Sequence, residues 1–121
     1  MQFTIVGAGA LGSILGAHLL AAGHEVALVA RGARAEQLRA QGLRIRGLRD
    51  INLPGRVLAP GAAEREPGVL IYTVKTYQMD EALAAHTHTR PLAVFSVANG
   101  VMKNEQLRDV HGAATVLGCM A

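Results

Sequence analysis

Three glycines, spaced two and then three residues apart in Gly7-Ala8-Gly9-Ala10-Leu11-Gly12, are the first residues whose types and spacing imply chemistry. They directly follow Phe3-Thr4-Ile5-Val6, which reads as a buried strand, and open an apolar stretch of helical length. A glycine pattern bracketed by strand and helix in this way is the dinucleotide-binding fingerprint. Gly7 would permit the tight turn, Gly9 would let the backbone approach a pyrophosphate, and Gly12 would let the helix pack close to the strand. Ala8, Ala10 and Leu11 fill out the loop, whose free N–H groups would face phosphates together with the positive end of the helix. The competing reading is a glycine-rich turn kept only for packing.

In such a fold an acid about 20 residues beyond the motif grips the ribose of NAD. Arg31 stands there instead, 19 positions after Gly12. A carboxylate at that place repels a 2′-phosphate, whereas a guanidinium offers it charge and paired donors. The sequence therefore favours NADP(H) over NAD(H). Arg34 is either a second contact to the same phosphate or a solvated arginine. Two more residues stand at the carboxyl ends of predicted strands, where open α/β sheets bind ligands. Lys75 follows the apolar run Val69 to Val74 and would face a nicotinamide or a carboxylate, or else simply start an exposed loop. Asn99 follows the strand Leu92 to Val97, and Asn99-Gly100 is by itself a strong turn signal.

The elements that must position these residues alternate along the chain. A strand at residues 3–6 precedes a helix at 10–22, with Gly23 as its C-terminal stop. A strand at 25–30 leads to a short helix at 34–41 that Gly42 ends. Leu43-Arg44-Ile45-Arg46 alternates apolar and charged, as a half-exposed strand does. Pro54-Gly55 then punctuates a small antiparallel excursion over residues 43–58. A polar loop at 61–67 precedes an interior strand at 68–74, typical of parallel sheets. A helix at 78–86, a strand at 92–97, a helix reaching Val110 and a strand begun at Thr115 to Cys119 complete the order. The expected fold is α/β: a Rossmann-type, doubly wound, mostly parallel sheet with helices on both faces.

The chain has 121 residues, enough for one domain and no substrate-clasping second one. Half the residues are hydrophobic and 17% are charged, which excludes disorder. The net charge is +3, but the basic residues are scattered and only Phe3, Tyr72, Tyr77 and Phe95 are aromatic, which argues against nucleic-acid binding. Cys119 is the single cysteine, so no intrachain disulfide forms and a reducing cytoplasm is expected. The apolar stretch Ile5 to Ala22 lacks a basic lead-in and carries four glycines, so neither export nor membrane insertion is expected. His86-Thr87-His88 reads as a solvated loop rather than a metal site, which needs three or four ligands. Asp80-Glu81 fits favourable placement at a helix start, and Arg44 and Arg46 read as the exposed face of a strand.

Together the glycine motif, Arg31, Thr73-Val74-Lys75-Thr76-Tyr77-Gln78, and Asn99-Gly100-Val101 followed by Asn104-Glu105 resemble the ketopantoate reductase (2-dehydropantoate 2-reductase) family, from Met1 to about Gly118. The resemblance implies that Gly7, Gly9, Gly12 and Arg31 hold NADPH and that Lys75 and Asn99 line the nicotinamide and substrate pocket. It implies hydride transfer from NADPH to the ketone of 2-dehydropantoate, giving pantoate on the route to coenzyme A, with a general acid protonating the developing alkoxide. The family's proton-donating lysine belongs to a helical C-terminal domain to which no part of residues 1–121 corresponds. Lys103, in the helix after the asparagine motif, is no substitute. No catalytic residue and no metal ligand is therefore assigned, and the chain alone is expected to turn over at a rate near zero.

Two other readings compete. One is an NADPH-dependent reductase of another 2-oxo acid or carbonyl compound. The other is a non-catalytic nucleotide-sensing module, like the regulatory domains of potassium transporters, which usually carry an acid where Arg31 stands. The expected partner is a small-molecule 2-oxo acid, with no nucleic acid and no membrane. A sheet edge left open at the last strand would be a route to self-association.

Overall fold

Runs such as Ile5-Val6, Val26-Ala27-Leu28-Val29 and Leu70-Ile71-Tyr72 are apolar at successive positions, so they need cover on both faces. The computed structural model, which describes residues 1–45, 51–53, 56–75, 78–97, 107 and 110–112, gives them that cover. The elements run β1 (Gln2–Val6), α1 (Ala10–Ala21), β2 (Glu25–Val29), α2 (Gly32–Gln41), β3 (Leu43–Ile45), β4 (Ile51–Leu53), β5 (Arg56–Leu58), β6 (Val69–Tyr72), α3 (Met79–Ala84) and β7 (Ala93–Ser96).

The main sheet has the order β5-β2-β1-β6-β7, and every pairing in it is parallel. The chain winds outward from β1 through β2 to β5, then returns to the other side of β1 as β6 and β7. The reversal lies between β1 and β6, and a ligand crevice is expected outside the carboxyl ends of those strands. Alternate side chains go to opposite faces. Ile5, Leu28 and Ile71 pack with Ala17, Leu38 and Leu43 under α1 and α2. Val6, Val29 and Tyr72 pack with Met79 and Leu83 of α3 and with Leu107 on the other side. The doubly wound α/β fold read from the sequence is thus present, with helices on both faces.

The excursion at residues 43–58 needs one correction. β3 and β4 do form an antiparallel pair, with Leu43 opposite Leu53. Arg56–Leu58, however, leaves that hairpin and joins the main sheet parallel to β2. Val57 and Leu58 are half-buried there against the two core clusters. α1 is apolar around most of its circumference because it is covered twice, by the sheet below and by β3 and β4 at its side. Leu43 is fully buried and its Cδ2 would lie 3.1 Å from a Cβ at Gly16. Among the described residues no helix is long and apolar enough to cross a membrane. Asn99, Lys103, Arg46, Cys119 and the strand expected at 115–119 lie outside the described residues.

Candidate functional site

A crevice of about 950 Å³ opens at the strand reversal, between the glycine loop, the end of β2, the segment after β6, and α3. Its floor begins with Gly7, whose φ of +113° is a conformation that residues with a Cβ rarely adopt. That turn is pinned on both sides: the Gly7 N–H donates to the Val29 carbonyl at 3.1 Å, and the Thr73 hydroxyl donates to the Gly7 carbonyl at 2.7 Å. Gly12 then lets α1 start against this turn. A Cβ on Gly12 would run into the Gly7 carbonyl oxygen and stand 2.6 Å from the Thr73 hydroxyl. The close helix–strand approach expected of Gly12 is present in the packing.

Gly9 differs from both. It is the N-cap of α1, in extended conformation, and supplies no side-chain cap. Among the described residues nothing lies within 4 Å of where its Cβ would be, so the loop faces open space here. The first turn of α1 carries no acid. Its N–H groups and positive end therefore face the crevice with no side-chain cap among the described residues. Ala8, Ala10 and Leu11 line the same crevice. Leu11 and Ile14, each 43% exposed, give it an apolar flank.

Arg34 is neither a solvated arginine nor a free second cation. Its Nε donates to the Ala8 carbonyl at 2.9 Å, and another guanidinium nitrogen donates to the Ser13 hydroxyl at 2.6 Å. The Ser13 hydroxyl in turn donates to the same Ala8 carbonyl at 3.1 Å. This fork braces the glycine loop against α2. Sequence reasoning missed Ser13 and Thr73, although each left a signal. Ser13 is a lone hydroxyl in an apolar helix, and Thr73 opens the segment already singled out for Lys75.

Arg31 caps α2 in extended conformation and lines the crevice. Its guanidinium is bonded to the Glu81 carboxylate at 2.8 Å, across the mouth of the crevice. Glu81 therefore does more than sit favourably at a helix start: it occupies the cation that the sequence assigned to a 2′-phosphate. Lys75 is exposed beyond β6 and also lines the crevice. Its backbone is held by Gln78, whose N–H donates to the Lys75 carbonyl at 2.8 Å. Arg44, read as an exposed strand residue, is exposed and reaches the same rim. The fold thus brings Gly7, Gly9, Arg31 and Lys75 to one crevice, with Gly12 buried behind the loop.

The histidine segment after α3 is the clearest correction. His86 is not in a solvated loop but 1% exposed, at the back wall of the crevice. Its Nδ1–H donates to the Ala82 carbonyl at 2.7 Å, and its Nε2 has no partner among the described residues. Burial holds its pKa below the usual imidazole range. The Tyr72 ring stands edge-on to His86, and the Tyr72 hydroxyl is 2.7 Å from Nε2 of His111. Burial raises the Tyr72 pKa and, with His86 and Arg90 nearby, lowers that of His111 to about 4. Those directions fit a neutral hydroxyl donating to a neutral imidazole. His88 is exposed and bonded to the Ala63 carbonyl at 2.7 Å.

Similarity to known proteins agrees with this geometry. The 2-dehydropantoate 2-reductase of Pyrococcus horikoshii is 36% identical over 115 residues, covering 93% of this chain and 37% of the relative. The one from Archaeoglobus fulgidus is 36% identical over 118 residues, covering 94% of this chain and 39% of the relative. The chain therefore spans well under half the length of these relatives and matches their N-terminal part. Among solved structures, a PanE/ApbA family ketopantoate reductase from Ralstonia eutropha superposes with a TM-score of 0.84 at 30% identity, over 93% of this chain and 39% of that one. A D-mandelate dehydrogenase solved with NADH and anilino(oxo)acetate shares the fold, with a TM-score of 0.85 at 22% identity, over 96% of this chain and 39% of that one. The sequence pattern described as "Ketopantoate reductase PanE/ApbA" matches residues 3–121, so this chain, with its glycine loop at the strand reversal, belongs to the ketopantoate reductase family.

Proposed function

We propose that this chain is the NADPH-binding part of a 2-dehydropantoate 2-reductase-like oxidoreductase. The observation that carries the reading is the convergence of the glycine loop, Arg31 and Lys75 on one crevice at the strand reversal. The residues present fit a dinucleotide: open space at Gly9, an uncapped helix N-terminus, and a cationic rim. The loop at Gly7 to Gly12 would hold the pyrophosphate, and Arg31 would hold the 2′-phosphate. Lys75 would stand near the nicotinamide or the substrate carboxylate, and Asn99, as the family resemblance implies, would share that wall.

When bound, NADPH supplies the hydride for a ketone carbon. This chain's part is to bind and orient. The N–H groups of the loop fix the phosphates, Thr73 and Arg34 fix the loop, and Leu11 and Ile14 keep the flank of the crevice apolar. The proton for the alkoxide would come from a lysine outside residues 1–121. We therefore expect cofactor binding by this chain with little or no turnover. The relatives' names support 2-dehydropantoate as the substrate of the whole protein.

Titration with NADPH and NADH, followed by quenching or enhancement of cofactor fluorescence, tests the reading. NADPH should bind at least about tenfold more tightly, and Arg31→Ala should remove that advantage, as expected for a charge-assisted fork on a phosphate. Equal binding of the two cofactors by the parent chain would refute the NADPH assignment.

A further inference from the structure

Among the described residues lining the crevice there are four arginines and lysines (Arg31, Arg34, Arg44 and Lys75) and a single acid, Glu81. That acid is not placed at random. It reaches from α3 across the end of β1 to the second residue beyond β2, and its Oε1 meets a guanidinium nitrogen of Arg31 at 2.8 Å. Ala82 of α3 and Ala85 at its C-cap also line the crevice, so this side of the helix is turned inward. Both partners remain accessible, with side chains 60% and 70% exposed, so a ligand entering the crevice can reach them.

We propose that Glu81 is an internal stand-in for the 2′-phosphate and thereby sets how strongly the crevice prefers a phosphorylated cofactor. The inference rests on the NADPH reading of Arg31. A carboxylate and a phosphate both present oxygen anions to a guanidinium, but the phosphate carries more charge and an additional oxygen. The bond seen here engages one oxygen with one nitrogen. It holds Arg31 at the crevice, and a phosphate that takes the same guanidinium nitrogen displaces it. The freed carboxylate then remains close to the incoming dianion and opposes it. Both effects act against NADPH and neither acts against NADH, so Glu81 narrows the preference that Arg31 creates.

The size is bounded by exposure. A solvent-accessible ion pair controls only about a two- to fivefold change in an equilibrium, and added salt weakens it. Glu81→Gln, which keeps the shape and removes the charge, should tighten NADPH and adenosine 2′,5′-bisphosphate by about that factor. NADH and adenosine 5′-monophosphate should bind as before. The gain should shrink at high salt and should be smaller in an Arg31→Ala background.

Isothermal titration of the four ligands against the parent chain, Glu81→Gln, Arg31→Ala and the double variant separates the outcomes. Unequal gains confined to the 2′-phosphorylated ligands support the proposal. A parent preference for NADPH that Arg31→Ala abolishes but Glu81→Gln leaves untouched overturns the role of Glu81 alone. Weaker NADH binding in Glu81→Gln also overturns it, because the carboxylate would then be a ribose acceptor. Equal binding of NADPH and NADH by the parent overturns the cofactor reading and this inference with it.

Discussion

Two glycines of one motif should fail in different ways when a methyl group is added. At Gly12 the new Cβ meets the Gly7 carbonyl oxygen, which is backbone, and lies 2.6 Å from the Thr73 hydroxyl. Neither can yield without breaking the bond between Thr73 and Gly7 or pushing α1 off the sheet. Overpacking of this kind costs about 1–3 kcal/mol. For a domain of this size that is a fall in Tm on the order of 10 °C.

At Gly9 nothing described lies within 4 Å, and its φ of −73° and ψ of −164° suit any residue. Alanine is a poorer N-cap than glycine by a fraction of a kcal/mol, and this is offset by about 0.4–1 kcal/mol of reduced unfolded-state entropy. Gly9→Ala should therefore shift Tm by no more than about 3 °C. Its cost should appear only with cofactor, as a loss of about tenfold or more in affinity, because the methyl occupies the phosphate approach. Thermal melts by circular dichroism, paired with NADPH titrations, check both halves. A Gly9→Ala chain that melts like Gly12→Ala, or one that binds NADPH like the parent, would refute the division of roles.

Arg34 and the buried histidines give two further tests. Arg34→Met removes the charge-assisted bonds to the Ala8 carbonyl and the Ser13 hydroxyl, and should cost about 1–2 kcal/mol in urea unfolding. It should weaken NADPH and NADH alike; a change in their ratio would mean that Arg34 itself touches the 2′-phosphate. The pKa values of His86 and His111 are lowered in the folded chain, that of His111 to about 4. The unfolded chain therefore takes up protons first as pH falls through the ordinary imidazole range near about 6.5. Stability should be complete above pH ~7 and should decline toward pH ~5. His111→Phe should flatten that decline, and an unchanged slope would count against buried neutral imidazoles.

The fold was legible because its signals are local. Successive apolar residues at Ile5-Val6 and Leu70-Ile71 demand two-sided cover, and glycines after β1 and after α2 mark turns by their backbone freedom. The placement of Arg56–Leu58 was not legible. A three-residue strand carries too little pattern to say whether it pairs with the hairpin before it or with β2. His86 was misread for a related reason. Two histidines near an arginine look solvated, yet the turn after α3 folds one of them beneath Tyr72 and leaves the other outside.

By itself the sequence determined the class of fold, the loop that could receive phosphates and the cation at the end of β2, since each depends on residue type at short range. Only the tertiary structure decided what those residues touch. It joined Arg34 to Ala8, 26 positions earlier, and Thr73 to Gly7, 66 positions earlier. It also set Glu81 against Arg31 across 50 residues of chain. No periodicity encodes such pairs. They exist because parallel strands β1, β2 and β6 lie side by side and bring their carboxyl ends, with the loops that follow, to one edge of the sheet.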